Sequence, residues 1–208
     1  MIAWIYLVAQ ILLSCPDDMV KVPETLTCID RYEWPNKKGV LPLVGLSGLP
    51  EAQDSGKMLD ADSLCKSVDK RVCQIEEWIS SCKDQNNSDY PWGSASPKTF
   101  TDANAPCNML KPVINVNQTL IMNRNQLEFA KAFQAEPSGF RSCVSASGAE
   151  DMIGNVEEWV RCPNRKYGWC LMGRFWALPK KCTDVIDVHV PRWHYYETGV
   201  RCCKDLWG

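Results

Sequence analysis

Twelve cysteines are the first residues in this chain that could do chemistry. They stand at positions 15, 28, 65, 73, 82, 107, 143, 162, 170, 182, 202 and 203. A free thiolate attacks electrophiles and binds soft metals, whereas an oxidised pair only closes a loop. The question is therefore how many sulfurs the scaffold uses. Cys162, Cys170 and Cys182 fall in one segment and are the candidates for a redox or metal role. Histidine offers little, because only His189 and His194 are present, and an isolated pair in a loop is read as solvated. The sequence has no Gly-x-Ser-x-Gly elbow, no phosphate-binding loop and no dinucleotide fingerprint. One aromatic cluster, Arg192-Trp-His-Tyr-Tyr196, is a candidate recognition patch, with Trp193, Tyr195 and Tyr196 as its anchors.

The elements that must position these groups are short. The chain has 208 residues and a net charge of -2, which sets one domain, or two small ones, and argues against a nucleic-acid partner. Hydrophobic residues are 45% and charged residues 23%, a globular balance. Twelve thiols are too many for a reducing cytosol unless metal takes them. Residues 1–14 are apolar but for Gln10, too short to span a bilayer and suited to a secretory signal. No Lys or Arg precedes that run, and a buried N-terminal strand is the alternative. Leu12-Leu13-Ser14-Cys15 also resembles a lipoprotein cleavage box, so Cys15 is either lipidated or cross-linked. A membrane is reached only through such an anchor. Asn86-Asn87-Ser88 and Asn117-Gln118-Thr119 are glycosylation sequons that count only in a eukaryotic host.

From residue 15 to 208 the chain reads as one domain. Residues 35–57 are rich in Gly and Pro, and residues 83–140 form a long polar stretch containing five prolines, with a short helix at 125–133. Asp60 caps a helix carrying Leu64, Cys65 and Val68 on one face. Ile75, Trp78, Ile79 and Cys82 fall at helical spacing. Strands are expected at 19–22, 27–32, 156–161, 175–178 and 198–203. Few long elements and much loop describe an irregular α+β domain held by cross-links.

Five motifs occur in order: Cys28-Ile-Asp-Arg-Tyr-Glu33, Lys70-Arg-Val-Cys-Gln-Ile-Glu-Glu-Trp78, Tyr90-Pro-Trp-Gly93, Asp151-Met-Ile-Gly-Asn-Val-Glu-Glu-Trp159 and Glu197-Thr-Gly-Val-Arg-Cys202. This series resembles the formylglycine-generating enzyme family, the sulfatase-modifying factors. The resemblance implies a C-type-lectin-like fold that is disulfide-rich and poor in regular structure. It also implies copper-dependent oxidation of a protein cysteine by a Cys-x4-Cys pair after a Gly-Gly-Ser-Trp-like stretch. Here that stretch reads Gly173-Arg-Phe-Trp176, and the first copper position falls on Ala177 or Leu178. Relatives with this fold that hold iron on three histidines find no counterpart in a two-histidine chain.

The resemblance implies the pairs Cys65–Cys202 and Cys82–Cys182. Each closes a long loop and contributes about 4–5 kcal/mol in the chain-entropy view. The remaining cysteines are assigned as Cys15–Cys28, Cys73–Cys203, Cys107–Cys143 and Cys162–Cys170. The alternative keeps Cys162 and Cys170 as a displaced redox or copper pair, and Cys170 and Cys182 as the residues of an active oxidase. The family motif also implies calcium, held by the side chains of Asn155 and Glu158 and the carbonyl of Val156, since a hard cation takes oxygens from a tight loop. A second set would involve Asn108, or Asn104, with Asp102. The resulting expectation is an exported pseudoenzyme, periplasmic, secreted or a cell-envelope lipoprotein, that keeps calcium but not copper. It would bind an unidentified protein or glycan. An oxidase and a lectin-like binder are the alternatives.

Overall fold

The computed structural model describes residues 14–50, 59–111, 134–177 and 180–207. The expected 125–133 helix, the sequon at Asn117 and almost all of the apolar N-terminal run lie outside them. In chain order the elements are β1 (Met19–Lys21), β2 (Thr27–Asp30), α1 (Ala61–Ser67), β3 (Arg71–Val72), α2 (Ile75–Cys82), β4 (Glu157–Arg161), β5 (Trp169–Met172), β6 (Thr198–Val200) and β7 (Cys202–Asp205). One sheet runs β1-β2-β7-β3 with every pair antiparallel. The other runs β5-β4-β6, with β4 and β6 parallel. The architecture is an irregular α+β fold.

Both helices start where side chains satisfy exposed N–H groups. The Asp60 carboxylate accepts from Ser63 N at 2.8 Å, the N-cap arrangement. In α2, Glu77 accepts from Gln74 N at 2.8 Å and also from the Arg71 guanidinium at 2.8 and 2.6 Å. Val68 does not join the buried face of α1. It caps that helix and is exposed, because the chain turns there with Asp69 at φ 57°. Two strands escaped the sequence reading, β3 and β5. Over its described residues, the strand expected at 175–178 is instead irregular at Phe175 and a turn at Trp176–Ala177. Gly173 and Arg174, at φ 81° and 57°, bend the chain there and send Phe175 and Trp176 inward.

Six disulfides close the scaffold: Cys15–Cys28, Cys65–Cys202, Cys73–Cys203, Cys82–Cys182, Cys107–Cys143 and Cys162–Cys170. Successive strand residues point to opposite faces. The doublet Cys202-Cys203 in β7 therefore serves two cores. Cys202 joins Cys65 beside Trp159, Trp169 and Leu171, whereas Cys203 joins Cys73 beside Trp78, Met172 and Val160. Among the described residues no helix is long and apolar enough to cross a membrane.

Arg201, between β6 and β7, is fully buried. Its Nε donates to both Glu158 oxygens at 3.1 and 3.2 Å. Its Nη1 donates to Asp30 O and Arg31 O at 2.9 and 2.7 Å, and its Nη2 to Glu150 O and Glu158 Oε1 at 2.6 and 3.0 Å. Glu158 also accepts from Trp78 Nε1 at 2.6 Å. Removing one partner strands a buried charge, which costs about 3–5 kcal/mol. Arg201→Met is expected to lower the unfolding free energy from denaturant titration by that amount, and adding Glu158→Gln to recover part of the loss. Additive losses in the double-mutant cycle would contradict this account.

Candidate functional site

The Gly-Asn-Val-Glu-Glu-Trp segment turns into β4, and strand alternation separates its residues. Glu158 and Val160 face Arg201 and Trp78. Glu157 faces Arg174, and Trp159 packs in the α1 core with its indole N–H on Leu46 O at 2.9 Å. Two of the three expected calcium ligands, Asn155 and Glu158, already have protein partners for their side-chain oxygens. Asn155 Oδ1 already accepts from Asn108 Nδ2 at 2.9 Å and Glu136 N at 2.8 Å, while its Nδ2 donates to Glu33 at 2.6 Å and Glu136 O at 3.1 Å. Both oxygens of Glu158 are bound to Arg201. In the second set, Asn104 accepts from Thr101, and Asp102 pairs with Arg141. Asn108 Oδ1 and Gln134 Oε1 are buried without a partner, but the Lys111 ammonium sits 2.9 Å from Gln134 O. Among the described residues, protein groups thus already take side-chain oxygens that calcium would need from each set. Asn155→Ala is expected to lower stability by about 2–4 kcal/mol, through the buried groups it leaves unpaired. The loss should be equal with and without chelator in thermal melts. A loss that vanishes with chelator would put calcium back on Asn155.

Cys170 and Cys182, the candidate copper residues, are bonded to Cys162 and Cys82. No cysteine is free. Copper(I) needs thiolates, so this donor set does not fit copper. Cys73, Glu77 and Cys203 lie close together, yet their two sulfurs are bonded to each other. Cys15 is likewise bonded, which uses the sulfur that a lipid would need.

What the structure does gather is aromatic. His189 stacks on Trp193 at 3.6 Å and 11°, Trp193 on Tyr195 at 5.8 Å and 13°. Tyr195 meets Tyr196 at 4.5 Å, Tyr196 meets Trp176 at 5.7 Å, and Trp176 meets Phe175 edge-on at 5.5 Å. Six rings thus form one ladder from the surface into the core. Trp193 and Tyr195 are half-buried, but Tyr196 is not the surface anchor expected of it. At 4% exposure it belongs to the core under the ladder. His189, expected to be solvated, is the outermost rung, and burial holds its pKa below the usual histidine value. His194 stays off the ladder, with Nδ1 3.4 Å from Arg192 O.

Charged groups accompany the inner rungs. Arg174 Nη1 pairs with Glu157 at 3.3 Å. Glu157 N donates to Glu197 O at 2.8 Å. Burial raises the Glu157 carboxyl to about 7, with Arg174 pulling it back. Burial and then the Glu157 charge raise Glu197 to about 9. Three buried polar atoms here have no hydrogen-bond partner: Arg174 Nε, Trp176 Nε1 and Glu197 Oε2. Sequence reasoning missed Arg174, Glu157 and Glu197 as members of this site. The Glu-Glu doublet opening a hydrophobic strand was the available signal, because alternation must bury one of the two.

Both carboxyls bind a proton more tightly folded than unfolded, where their pKa is near 4.5. Their contribution to stability is complete below 4.5 and is lost as pH rises toward about 9. With disulfides intact, urea midpoints should fall across that window. Glu197→Gln should flatten the upper part, between about 7 and about 9. An unchanged slope in the variant would rule out Glu197 as the cause.

The sequence profile of the "Sulfatase-modifying factor enzyme 1-like domain" matches residues 57–190. No curated protein matches the chain. Solved structures share the fold at low identity. The U1 variant of the Major Tropism Determinant has a TM-score of 0.55 and 11% identity, over 92% of this chain and 53% of its own. This chain thus spans about half the length of that protein. Variable protein 1 of Treponema denticola has a TM-score of 0.55 and 11% identity, over 92% of each chain. PvdO from Pseudomonas aeruginosa has a TM-score of 0.53 and 17% identity, over 93% of this chain and 90% of its own.

Proposed function

The chain belongs to the sulfatase-modifying factor enzyme 1-like domain family, and from that premise we propose that it is an exported, non-catalytic binding module. The observation that carries this reading is the state of the sulfurs. All twelve are committed to cross-links, and an oxidase of this family needs two that are not. Six disulfides suit an oxidising compartment outside the cytosol. The ladder of His189, Trp193 and Tyr195 supplies the recognition surface. Trp, Tyr and a neighbouring Arg192 are the residue types of protein-interface hot spots, so the partner is read as a protein. That a tropism determinant shares the fold supports recognition as a use of this scaffold, although fold alone does not assign it.

Two measurements test this. Thiol titration of the denatured, unreduced protein should find no sulfhydryl, and twelve after reduction. Two reactive sulfhydryls that bind copper(I) would restore the oxidase. A partner retained by immobilised wild-type protein should be released by Trp193→Ala or Tyr195→Ala, each weakening it at least about tenfold, the scale of a hot-spot residue. Retention unchanged in both variants would remove the ladder from the binding surface, and loss only on glycan digestion of the partner would make the ligand a sugar.

A further inference from the structure

A second site lies where α2 ends. The loop after that helix, the Pro91-Trp92 turn and the 144–146 segment border an open surface cavity of about 300 Å³, lined by Asp84, Gln85, Asn86, Trp92, Val144 and Ser145 among others. That is the small end of the range for ligand pockets, with room for one sugar ring rather than a long chain.

The walls are held in place. Ala146 N donates to Lys83 O at 3.1 Å, and Gly93 N to Tyr90 O at 3.1 Å. The Cys82–Cys182 disulfide anchors the end of α2, and Cys182 N donates to Asp89 O at 2.8 Å. Trp92 is fixed on three sides. Tyr90 stacks on it at 4.8 Å and 8°, Phe100 meets it edge-on at 6.0 Å, and its indole N–H donates to Ala95 O at 3.0 Å. Trp92 lines the cavity, whereas Tyr90 and Phe100 support it from outside the lining. On the rim, Asp84 Oδ1 accepts from Asn86 N at 3.1 Å and Ser88 N at 2.7 Å. Those hydrogen bonds, led by Ser88, hold its carboxyl below the usual value and therefore charged. Gln85 and Asn86 line the same cavity.

A rigid indole wall with a carboxylate and two carboxamides at its edge has the chemistry to receive a pyranose. The ring's C–H face packs on the aromatic, and its hydroxyls donate to the acid and exchange hydrogen bonds with the amides. We propose that this cavity is a saccharide-ring subsite with Trp92 as its platform, separate from the aromatic ladder. The sugar has two sources. It is free, or it is the first residue of a glycan carried by Asn86, the acceptor of the sequon Asn86-Asn87-Ser88, which itself lines the cavity.

The test follows the indole N–H of Trp92 by two-dimensional NMR, assigned by its loss in Trp92→Phe. Protein from a host that does not glycosylate is titrated with N-acetylglucosamine, glucose and mannose. A saturable shift of that signal is expected, with Kd on the order of 1 mM for a ligand of about a dozen heavy atoms. Asp84→Asn should weaken it several-fold, Trp92→Ala should abolish sugar saturation transfer, and Trp193→Ala should change nothing. Trp92→Phe, which keeps an aromatic platform and the packing, should retain weakened saturation transfer, so a misfolded alanine variant does not decide the matter. Protein from a glycosylating host is compared before and after enzymatic glycan release, and with Asn86→Gln. A Trp92 signal displaced only in the glycosylated form assigns the site to the attached glycan. Saturable binding of free sugar assigns it to an external one. No sugar-dependent change at Trp92 in either arm overturns the proposal.

Discussion

One buried guanidinium ties the fold together. Arg201 joins the β2 end of the first sheet, through Asp30 O and Arg31 O, to β4 of the second, through Glu158. Burial alone would disfavour its charge. Glu158, and at longer range Glu33 and Asp151, more than offset that. The result is a wholly buried site with more carboxylates than cations. Burial, and then neighbouring like charges, favour the protonated form of carboxyls here. Burial raises Asp151 to about 7 and lifts Glu33 well above the usual carboxylate value. The hydrogen bonds around Arg201 also fix where the flanking strands start, since β6 ends at Val200 and β7 begins at Cys202.

That constraint explains why the cross-links fall as they do. With Arg201 pinned between the sheets, the next two residues must diverge, one toward each core. The doublet Cys202-Cys203 uses that divergence to staple α1 to one face and the residue after β3 to the other. Both bonds span more than a hundred residues, at separations of 137 and 130, so each removes a large loop entropy from the unfolded chain. A scaffold whose strands are only two to five residues long gains much from such constraints, because short ladders bury little surface on their own.

Much of this framework was legible in the sequence and some was not, for identifiable reasons. α2 was readable because Ile75, Trp78, Ile79 and Cys82 repeat at helical spacing. β4 was readable from its unbroken run of large residues after a turn. β3 was not, because two residues carry no period. β5 was hidden because Trp169-Cys-Leu-Met172 is buried on both sides and so shows no alternation. Trp193 and Tyr195 were identified by type alone, and the structure stacks them. Tyr196 was misassigned because a Tyr-Tyr doublet sends its members to different depths. Only the turn at Gly173-Arg174, invisible to pattern reading, brings Trp176 beneath them.

The same turn also carries backbone strain. Arg174 holds φ at 57°, a conformation that favours glycine and costs a larger residue on the order of 1 kcal/mol or more. The strain is offset by what the guanidinium does. It stands beside Glu157, whose burial would otherwise leave a carboxylate with no cation close by, and its field also reaches Glu197 and His189. In the family pattern this stretch is Gly-Gly-Ser-Trp-like and leads to a metal-binding thiol. Here an arginine fills it, and Phe175 and Trp176 turn into the core. The turn thereby sets the base of the aromatic ladder, with Trp176 packed under Tyr196.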